Sequence, residues 1–359
     1  MARAAIFCVL IDPGHDIAGF VLSWIKGLAR RVDSLEVIAL EVVDAQGAGL
    51  PANVRLTSLG KEKGFGRPRL LVNSQRAVWR AMDRADFLLC HMMPVYALAA
   101  GPICRLKGKP LLLWYTHQHV DLKLRAAVRA ADRVLTAVPE SMRVPTAKKR
   151  VLGHGIDTDR FCPGPDRPRS GPLRVVSVGR LSPVKRLEVL VEAAEKLKAW
   201  GRLEDFRFSL VGQEGEPFQK AYTQAVKDRI KESGLEGVFE FTGSIPYAGV
   251  ADSFRQADLF VSMQEQRGLD KAVLEAMACG LPVVVANRSF VPLLGDQAGR
   301  LVYPPDQPQA LAQKLIDLAQ VPAGQRRALG LDLRAKVQAE HDLGRLMDRI
   351  LNEAAEAGR

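Results

Sequence analysis

The sequence predicts an α/β protein with two doubly wound parallel sheets, each built from Rossmann-like strand–helix repeats. Short apolar runs alternate with stretches of helical spacing, and the alternation is interrupted by the proline-rich segment Cys162–Pro172. A chain of 359 residues with 47% hydrophobic residues is also long enough for two cores. We therefore expect one domain over residues 1–165, a second over 170–342, and a helix over 343–359.

The first series of elements opens with an uninterrupted apolar run, which is typical of a parallel strand buried on both faces. The basic, glycine-containing region Leu56–Arg69 breaks the rhythm and is predicted to be a mobile loop. A helix is predicted over Ile17–Arg31, and strands over Ala4–Ile11, Leu35–Val43, Phe87–Cys90, Pro110–Tyr115 and Arg133–Ala137.

The second series follows the same pattern, and ligands of such sheets bind at the carboxyl ends of the strands. With two such domains, the cleft between them is the expected site. Strands are predicted over Leu173–Val178, Phe206–Val211, Val238–Thr242, Leu259–Ser262 and Val283–Ala286, and helices over Leu187–Trp200, Pro217–Ser233, Tyr247–Gln256 and the stretch containing Glu275.

Composition favours a soluble protein of a reducing compartment, which we expect to be the cytoplasm. No apolar run approaches the ~20 residues that span a bilayer, and the first run is too short for a signal peptide. The five cysteines are scattered through apolar stretches, which favours buried thiols over disulfides or a zinc site.

The net charge of +11 lies almost wholly in the first half of the chain. Residues 1–165 carry 24 Lys and Arg against 14 Asp and Glu, whereas residues 166–359 carry 27 against 26. A basic half favours an anionic partner, such as a membrane surface or an acidic substrate, although solubility alone would also explain it. Aromatic residues do not interleave with the basic ones, so we do not expect nucleic-acid binding.

Two cations follow the first predicted strand of the second half. That strand ends near Gly179, and Arg180 and Lys185 stand between it and the next helix. Amides of a helix N-terminus add partial positive charge, so this arrangement suits a diphosphate, although a solvated basic loop would look similar.

Glu275 lies among apolar residues of a predicted helix, where an unpaired carboxylate is costly. The two adjacent hydroxyls of a ribose would be suitable partners. The alternative is an acid in a first helical turn, stabilised by the helix dipole.

In the first half, the turn after the first strand contains Gly14 and Gly19, which would let a phosphate or sugar approach the backbone. The spacing is not that of the dinucleotide-binding glycine motif, which disfavours a dehydrogenase. His117 follows another strand and could orient a reacting sugar. His119 and Asp121 would complete a metal cluster with it only if a further ligand existed, so we expect a loop role for His119 and no metal.

Several stretches together resemble the family 4 glycosyltransferases of the GT-B fold. "GHGIDTDRF" resembles that family's turn before the linker, "VGRLSPVK" its diphosphate-binding pair, and "FTGSIP", "ADLFVSM" and "VLEAMACGLPVVVAN" its later strands and helix. The resemblance is dense over about Gly153–Asn287 and looser over residues 1–152.

The resemblance implies a retaining, metal-independent hexosyltransferase that uses a UDP- or GDP-sugar and a glycan, lipid-linked or cell-envelope acceptor. Arg180 and Lys185 would neutralise the leaving diphosphate, Glu275 would bind the ribose, and Gly19 and Gly179 would approach the donor. His117 would lie near the transferred sugar. The acceptor would bind the first domain, and the helix over 343–359 would cross back to it.

One position departs from the family pattern of a glutamate, seven residues and a second glutamate. Arg267 stands where the first glutamate is expected, and "GLDKAVLEAMACG" resembles a variant in which Asp-Lys follows the glycine. A modified sugar pocket would then use Asp270 and Lys271, or the amides of Gly268 and Leu269. The departure leaves open a catalytically inactive sugar- or nucleotide-binding protein, or a nucleotide-sugar epimerase of the same fold.

The segment Gly60–Arg69 gives the basic first half a specific surface. We expect Lys61, Lys63, Arg67 and Arg69 to meet the phosphates of an anionic membrane or acceptor while Phe65 inserts. This would make the protein peripheral to the cytoplasmic face of a membrane.

Overall fold

A computed structural model describes residues 2–14, 19–165, 171–215, 217–265 and 268–358. The chain divides into two compact units. The first comprises Met1–Asp157 together with His341–Arg359, and the second is the continuous stretch Thr158–Glu340.

The described part of the first unit contains a seven-stranded parallel sheet in the order β3-β2-β1-β4-β5-β6-β7. The chain adds strands to one side of β1 and then crosses to its other side, so the topological switch point lies between β1 and β4. The strands are β1 (Arg3–Ile11), β2 (Ser34–Val42), β3 (Val54–Ser58), β4 (Phe87–His91), β5 (Leu111–Trp114), β6 (Arg133–Thr136) and β7 (Lys149–Val151).

Helices cover both faces of this sheet, which explains why its central strands are apolar throughout. Helix α1 packs on one face, while α2, α3 and α4 pack on the other. Their bounds are α1 (Phe20–Ala29), α2 (Arg67–Met82), α3 (Pro94–Leu106) and α4 (Leu122–Ala130).

The described part of the second unit forms a five-stranded parallel sheet in the order β10-β9-β8-β11-β12. Its switch point lies between β8 and β11, because β9 and β10 are added on one side of β8 and the later strands on the other. The strands are β8 (Leu173–Val178), β9 (Phe206–Val211), β10 (Phe239–Gly243), β11 (Leu259–Ser262) and β12 (Val283–Val285).

The helices of the second unit pack mainly as two groups. Helix α5 packs against α6 and α11, and α8 packs against α7 and α12. Their bounds are α5 (Leu187–Ala199), α6 (Pro217–Glu232), α7 (Val250–Gln256), α8 (Lys271–Ala278), α9 (Val291–Leu294), α10 (Ala298–Leu301), α11 (Pro308–Ala319) and α12 (Ala323–Glu340).

Helix α13 (Leu343–Ala357) belongs to the first unit although it follows the whole second unit in sequence. Its apolar face, with Leu346, Met347 and Ile350, is buried in the same core as α1. Gly155 allows this approach, because a Cβ there would lie 2.8 Å from a methyl group of Leu346.

The prediction of a mobile loop over Leu56–Arg69 was wrong. The segment begins inside β3, continues through a short 3-10 helix at Lys61–Lys63, and ends in the first turn of α2. Glu62 anchors it by accepting hydrogen bonds from the Ser58 hydroxyl at 2.7 Å and the Val42 amide at 3.3 Å.

Within the described ranges, every helix is too short or too polar to cross a membrane. The five cysteines, all in the described part, are free thiols. Burial raises the pKa of Cys8, and of Cys279 at the end of α8, to about 12, so both are held as neutral thiols.

Candidate functional site

The loop between β8 and α5 carries the two predicted cations at the carboxyl end of the central strand. Gly179 has φ 146°, a backbone conformation that favours glycine, and a Cβ on it would lie 2.7 Å from Cε of Lys185. The lysine side chain is thus laid directly across the glycine. Arg180 is exposed, and in the described part of the chain no carboxylate pairs with its guanidinium.

Lys185 contacts the second predicted cluster through Asp270. Its Nζ lies 2.8 Å from Oδ2 of Asp270, and the side chains are 20% and 12% exposed. The other carboxylate oxygen, Oδ1, accepts from the Ala272 amide at 3.1 Å and so caps the N-terminus of α8. One side chain therefore joins two motifs that lie 85 residues apart in the sequence.

Glu275 is buried on α8, at 5% exposure, and it has the polar partners that its burial requires. Tyr247 donates its hydroxyl to Oε1 at 2.9 Å, and Lys271 Nζ lies 3.2 Å from the same oxygen. Lys271 also donates to the Tyr247 hydroxyl at 3.0 Å. These contacts hold the carboxylate in one orientation.

Lys271 stands at the first position of α8, where the helix dipole disfavours a cation. Its contacts with Glu275 and Tyr247 offset that cost. Two lysines and two carboxylates therefore form a nearly neutral cluster, Lys185–Asp270 and Lys271–Glu275, beside the switch point of the second sheet.

The loop before α8 is held by hydrogen bonds from residues that follow β12. Asn287, just after β12, donates its side-chain amide to the Gly268 carbonyl at 2.6 Å and accepts from the Ser289 amide at 2.9 Å. Ser289 in turn accepts from the Gly268 amide at 3.2 Å. The Gly268 amide is therefore already engaged, and Leu269 remains the candidate for an amide contact. Arg267 lies outside the described residues.

In the first unit, the predicted residues lie at the carboxyl ends of its strands. Gly19 is buried and precedes α1 with an ordinary helical φ of −56°, so its conformation does not require glycine. His117 is exposed after β5, and its Nδ1 accepts from the His119 amide at 3.0 Å, which leaves Nε2 as the outward nitrogen. Among the described residues, no three His, Cys, Asp or Glu side chains come together as metal ligands would.

The turn Gly153–Phe161, which precedes the linker, contains two carboxylates, Asp157 and Asp159. Asp157 accepts from the Ser23 hydroxyl of α1 at 3.1 Å. The His154 amide donates to Nδ1 of His341 at 3.0 Å, and the Ile156 amide donates to the His341 carbonyl at 2.8 Å. This turn is thereby hydrogen-bonded to His341, two residues before the start of α13.

The basic segment Gly60–Arg69 does not offer Phe65 as an exposed anchor, which corrects that expectation. The ring is half-buried against Gly60, and the Arg69 guanidinium lies 3.5 Å from its centroid. Lys61 pairs with Glu41 at 2.7 Å, while Lys63 and Arg67 are exposed. The exposed apolar side chains nearby lie on α2 instead, namely Leu71, Val72 and Trp79.

Sequence reasoning missed the polar residues that support the cluster formed by Lys185–Asp270 and Lys271–Glu275. Tyr247 was read only as the start of a helix, although its hydroxyl is the closest partner of Glu275. Asn287 was read as the end of a strand signature, although it fixes the loop before α8. The available signal for Asn287 was its place just after the apolar strand β12, but this does not identify a partner, and no pattern marked Tyr247.

Comparison with known proteins supports this reading of the second unit. Residues 172–320 match a family model described as glycosyl transferases group 1. The match covers β8 to α11 and so includes Arg180, Lys185 and Glu275.

Two relatives with curated names are also glycosyltransferases. WcaL of Escherichia coli K12, named for colanic acid biosynthesis, is 32% identical over 283 residues, which cover 72% of this chain and 67% of that protein. AmsK of Erwinia amylovora, named for amylovoran biosynthesis, is 31% identical over 225 residues, which cover 60% of this chain and 53% of that protein.

The whole chain resembles solved structures of two-domain glycosyltransferases. The crystal structure of Anabaena HepE in complex with UDP and glucose superposes with a TM-score of 0.73 at 17% identity, covering 97% of this chain and 99% of that one. The glycosyltransferase of Rickettsia africae superposes with a TM-score of 0.77 at 14% identity, covering 99% and 98%. At these identities the likeness shows the GT-B fold and not the substrates.

Proposed function

The chain belongs to the group 1 glycosyltransferases, and we propose that it transfers a hexosyl group, with retention, from a UDP- or GDP-sugar to a glycan or cell-envelope acceptor. The observation that carries this proposal is the Lys185–Asp270 contact. It brings Lys185, one of the predicted diphosphate-binding cations, to the N-terminus of α8, the helix that carries the predicted ribose-binding Glu275, beside the switch point of one sheet.

The proposed chemistry uses the cations where charge develops. As the bond between the anomeric carbon and the phosphate oxygen breaks, negative charge grows on the departing diphosphate, and Arg180 with Lys185 stabilises it. The acceptor hydroxyl forms the new bond on the same face, and its proton passes to the departing phosphate oxygen. This route needs no enzymic base and no metal ion.

Glu275 supplies the recognition of the nucleoside in this proposal. Its carboxylate is oriented by Tyr247 and Lys271, and it can accept hydrogen bonds from two adjacent ribose hydroxyls. Leu269, Asp270 and Lys271 would line the sugar side of the donor.

The choice of donor and acceptor classes is supported by the relatives. HepE was crystallised with UDP and glucose, WcaL is named for colanic acid biosynthesis, and AmsK is named for amylovoran biosynthesis. We therefore propose a UDP-hexose donor as the first to test, with GDP-hexoses as the second, and a polysaccharide repeat unit or its lipid-linked precursor as acceptor.

The proposal predicts that Arg180→Ala and Glu275→Ala each lower transfer by at least about a hundredfold, since each removes a charged contact to the donor. The measurement is release of UDP or GDP from labelled UDP- and GDP-hexoses, with a cell-envelope extract as the source of acceptor. Arg174→Ala is the matched control, because Arg174 is exposed near the start of β8, at the end of the strand opposite the loop that carries Arg180.

Two outcomes would contradict this function. Near wild-type transfer by either variant would remove the assigned roles. Interconversion of nucleotide-sugars without acceptor-dependent release of UDP or GDP would indicate an epimerase, and binding without any turnover would indicate an inactive relative.

We also propose that the first unit docks on an anionic membrane surface at the cytoplasmic face. Helix α2 contains four arginines and no acidic residue. Leu71, Val72 and Trp79 are 56%, 48% and 43% exposed on it. A helix with a basic face and exposed apolar residues is suited to the headgroup region of a bilayer. This extends the predicted surface from Lys63 and Arg67 to the outer face of α2.

A further inference from the structure

We propose that Asp270 is a resident counter-ion of Lys185, which the diphosphate of the donor must displace, and that it thereby weakens the hold of the site on donor and product. This inference rests on the proposed function, because it assumes that Lys185 meets a diphosphate.

The first observation is the state of the two predicted cations. Arg180 is exposed, with no carboxylate partner in the described part of the chain, whereas Lys185 is already neutralised by Asp270 at 2.8 Å. A carboxylate oxygen at that distance occupies the ammonium as a phosphate oxygen would. A second anion that approached Lys185 would also be repelled by Asp270.

The second observation is that Asp270 is divided between two tasks. Oδ1 caps α8, and Oδ2 holds Lys185. The cap requires only a side-chain oxygen, which asparagine or serine supplies equally well. The negative charge is therefore not needed for the helix, and its evident partner is the lysine.

The third observation is that the neighbouring lysine cannot replace Lys185. Lys271 is engaged by Glu275 and by the Tyr247 hydroxyl, so it is committed to the other carboxylate of the cluster. Release of Asp270 would therefore leave Lys185 as a newly available positive charge, and an arriving diphosphate would compensate it.

Asp270 would therefore lower the affinity for the nucleoside diphosphate and speed its release. An enzyme that binds its nucleoside diphosphate product tightly releases it slowly, and product release limits many enzymes. Asp270 re-forms its pair with Lys185 as the diphosphate leaves, which favours release.

The test uses Asp270→Asn, with Asp270→Ser as a second variant that also keeps the cap. We expect UDP or GDP, whichever binds the wild-type chain, to bind at least about tenfold more tightly to both variants. The corresponding free nucleoside, uridine or guanosine, should bind with unchanged affinity because it has no phosphate. Binding is measured by calorimetry, and the donor KM should fall together with kcat.

Asp332→Asn is the matched control. It breaks another lysine–aspartate pair of the second unit, with Lys336 at 3.6 Å on α12, and removes the same charge. It should leave nucleotide affinity unchanged. In the double variant Asp270→Asn with Lys185→Ala, the gain in affinity should disappear.

The outcomes separate this inference from the function beneath it. If neither UDP nor GDP binds the wild-type chain, or if Lys185→Ala leaves binding intact, the proposed function fails at this site. If Lys185→Ala weakens binding but Asp270→Asn leaves affinity unchanged or lowers it, Asp270 only orients Lys185 or the sugar, and the counter-ion inference is overturned.

Discussion

At the scale of single residues, the site depends on how closely side chains are laid over the backbone. Gly179 is the clearest case, because Lys185 occupies the space that a Cβ would need. The absence of a side chain at Gly179 therefore determines where the ammonium group of Lys185 can lie.

Gly179→Ala should displace Lys185 and weaken UDP or GDP binding by roughly tenfold or more, in addition to a backbone cost of roughly 1–3 kcal/mol. Gly171→Ala is the control, since Gly171 also has positive φ, at 96°, but no atom of the described residues lies within 4 Å of its added Cβ. Calorimetric binding and thermal unfolding of both variants check this. Equal nucleotide affinities in the two variants would show that the position of Lys185 does not depend on Gly179.

Tyr247→Phe tests the hydrogen bond to Glu275. Loss of a hydrogen bond to a charged group costs about 1.5–3 kcal/mol, and the freed carboxylate would lose its orientation. The control is Tyr222→Phe on α6, which removes a similar hydrogen bond from a tyrosine hydroxyl to Glu188 at 2.6 Å. We expect urea unfolding to show a loss of stability in both variants and nucleotide titration to show weaker binding only in Tyr247→Phe. Unaltered nucleotide binding by Tyr247→Phe would argue against a role in orienting Glu275.

At the scale of elements, the sequence predicts apolar, mostly buried strands well and edge strands with exposed residues poorly. The strands over Leu173–Val178, Phe206–Val211 and Leu259–Ser262 were predicted with the bounds that the structure has. Strands β3 and β7 were missed, because they are the two edge strands of the sheet and neither has a fully buried residue that would produce an apolar run. Propensity and pattern are weak where packing decides the outcome.

The attachment of α13 includes a buried histidine. His341, just before the helix, accepts the His154 amide through Nδ1, and burial, with Arg349 nearby, lowers its pKa from 6.5 to about 4. Because the folded value lies below the unfolded one, the unfolded chain takes up a proton first as the pH falls. The contribution of the neutral imidazole is complete above pH 6.5 and is lost progressively toward pH 4.

His341→Asn should therefore flatten the dependence of stability on pH. Asparagine can still accept the His154 amide but does not titrate. The wild-type chain should lose up to about 3 kcal/mol more than the variant between these pH values, as measured by urea unfolding. His119→Asn, at an exposed histidine of the same unit, serves as the control. Parallel pH profiles for wild type and His341→Asn would contradict this assignment.

At the scale of the whole molecule, charge is divided unequally between the two halves of the chain. The excess of basic residues over residues 1–165 coincides with a helix, α2, that exposes arginines together with apolar side chains. Charge and exposed apolar area act together at a bilayer surface, and only the charge term is screened by salt.

The chain should bind vesicles that contain phosphatidylglycerol and not vesicles of phosphatidylcholine alone, and salt should weaken the binding. Arg67→Glu with Arg76→Glu should reduce co-sedimentation by more than about tenfold, because each basic residue near the surface contributes about 1 kcal/mol. Lys220→Glu with Lys231→Glu, on the exposed face of α6, is the charge-matched control. Binding that is indifferent to salt and to the α2 variants would rule out this surface.

The path of the chain has a consequence for biosynthesis. The second unit is one continuous stretch, Thr158–Glu340, whereas the first is completed by α13, which a ribosome makes afterwards. Until then, the surface of α1 that meets Leu343 and Met347 stays uncovered. The second unit can fold on the nascent chain, while the first remains incomplete until α13 has been made. We therefore expect the first unit, and not the second, to depend on chaperones until α13 has been made.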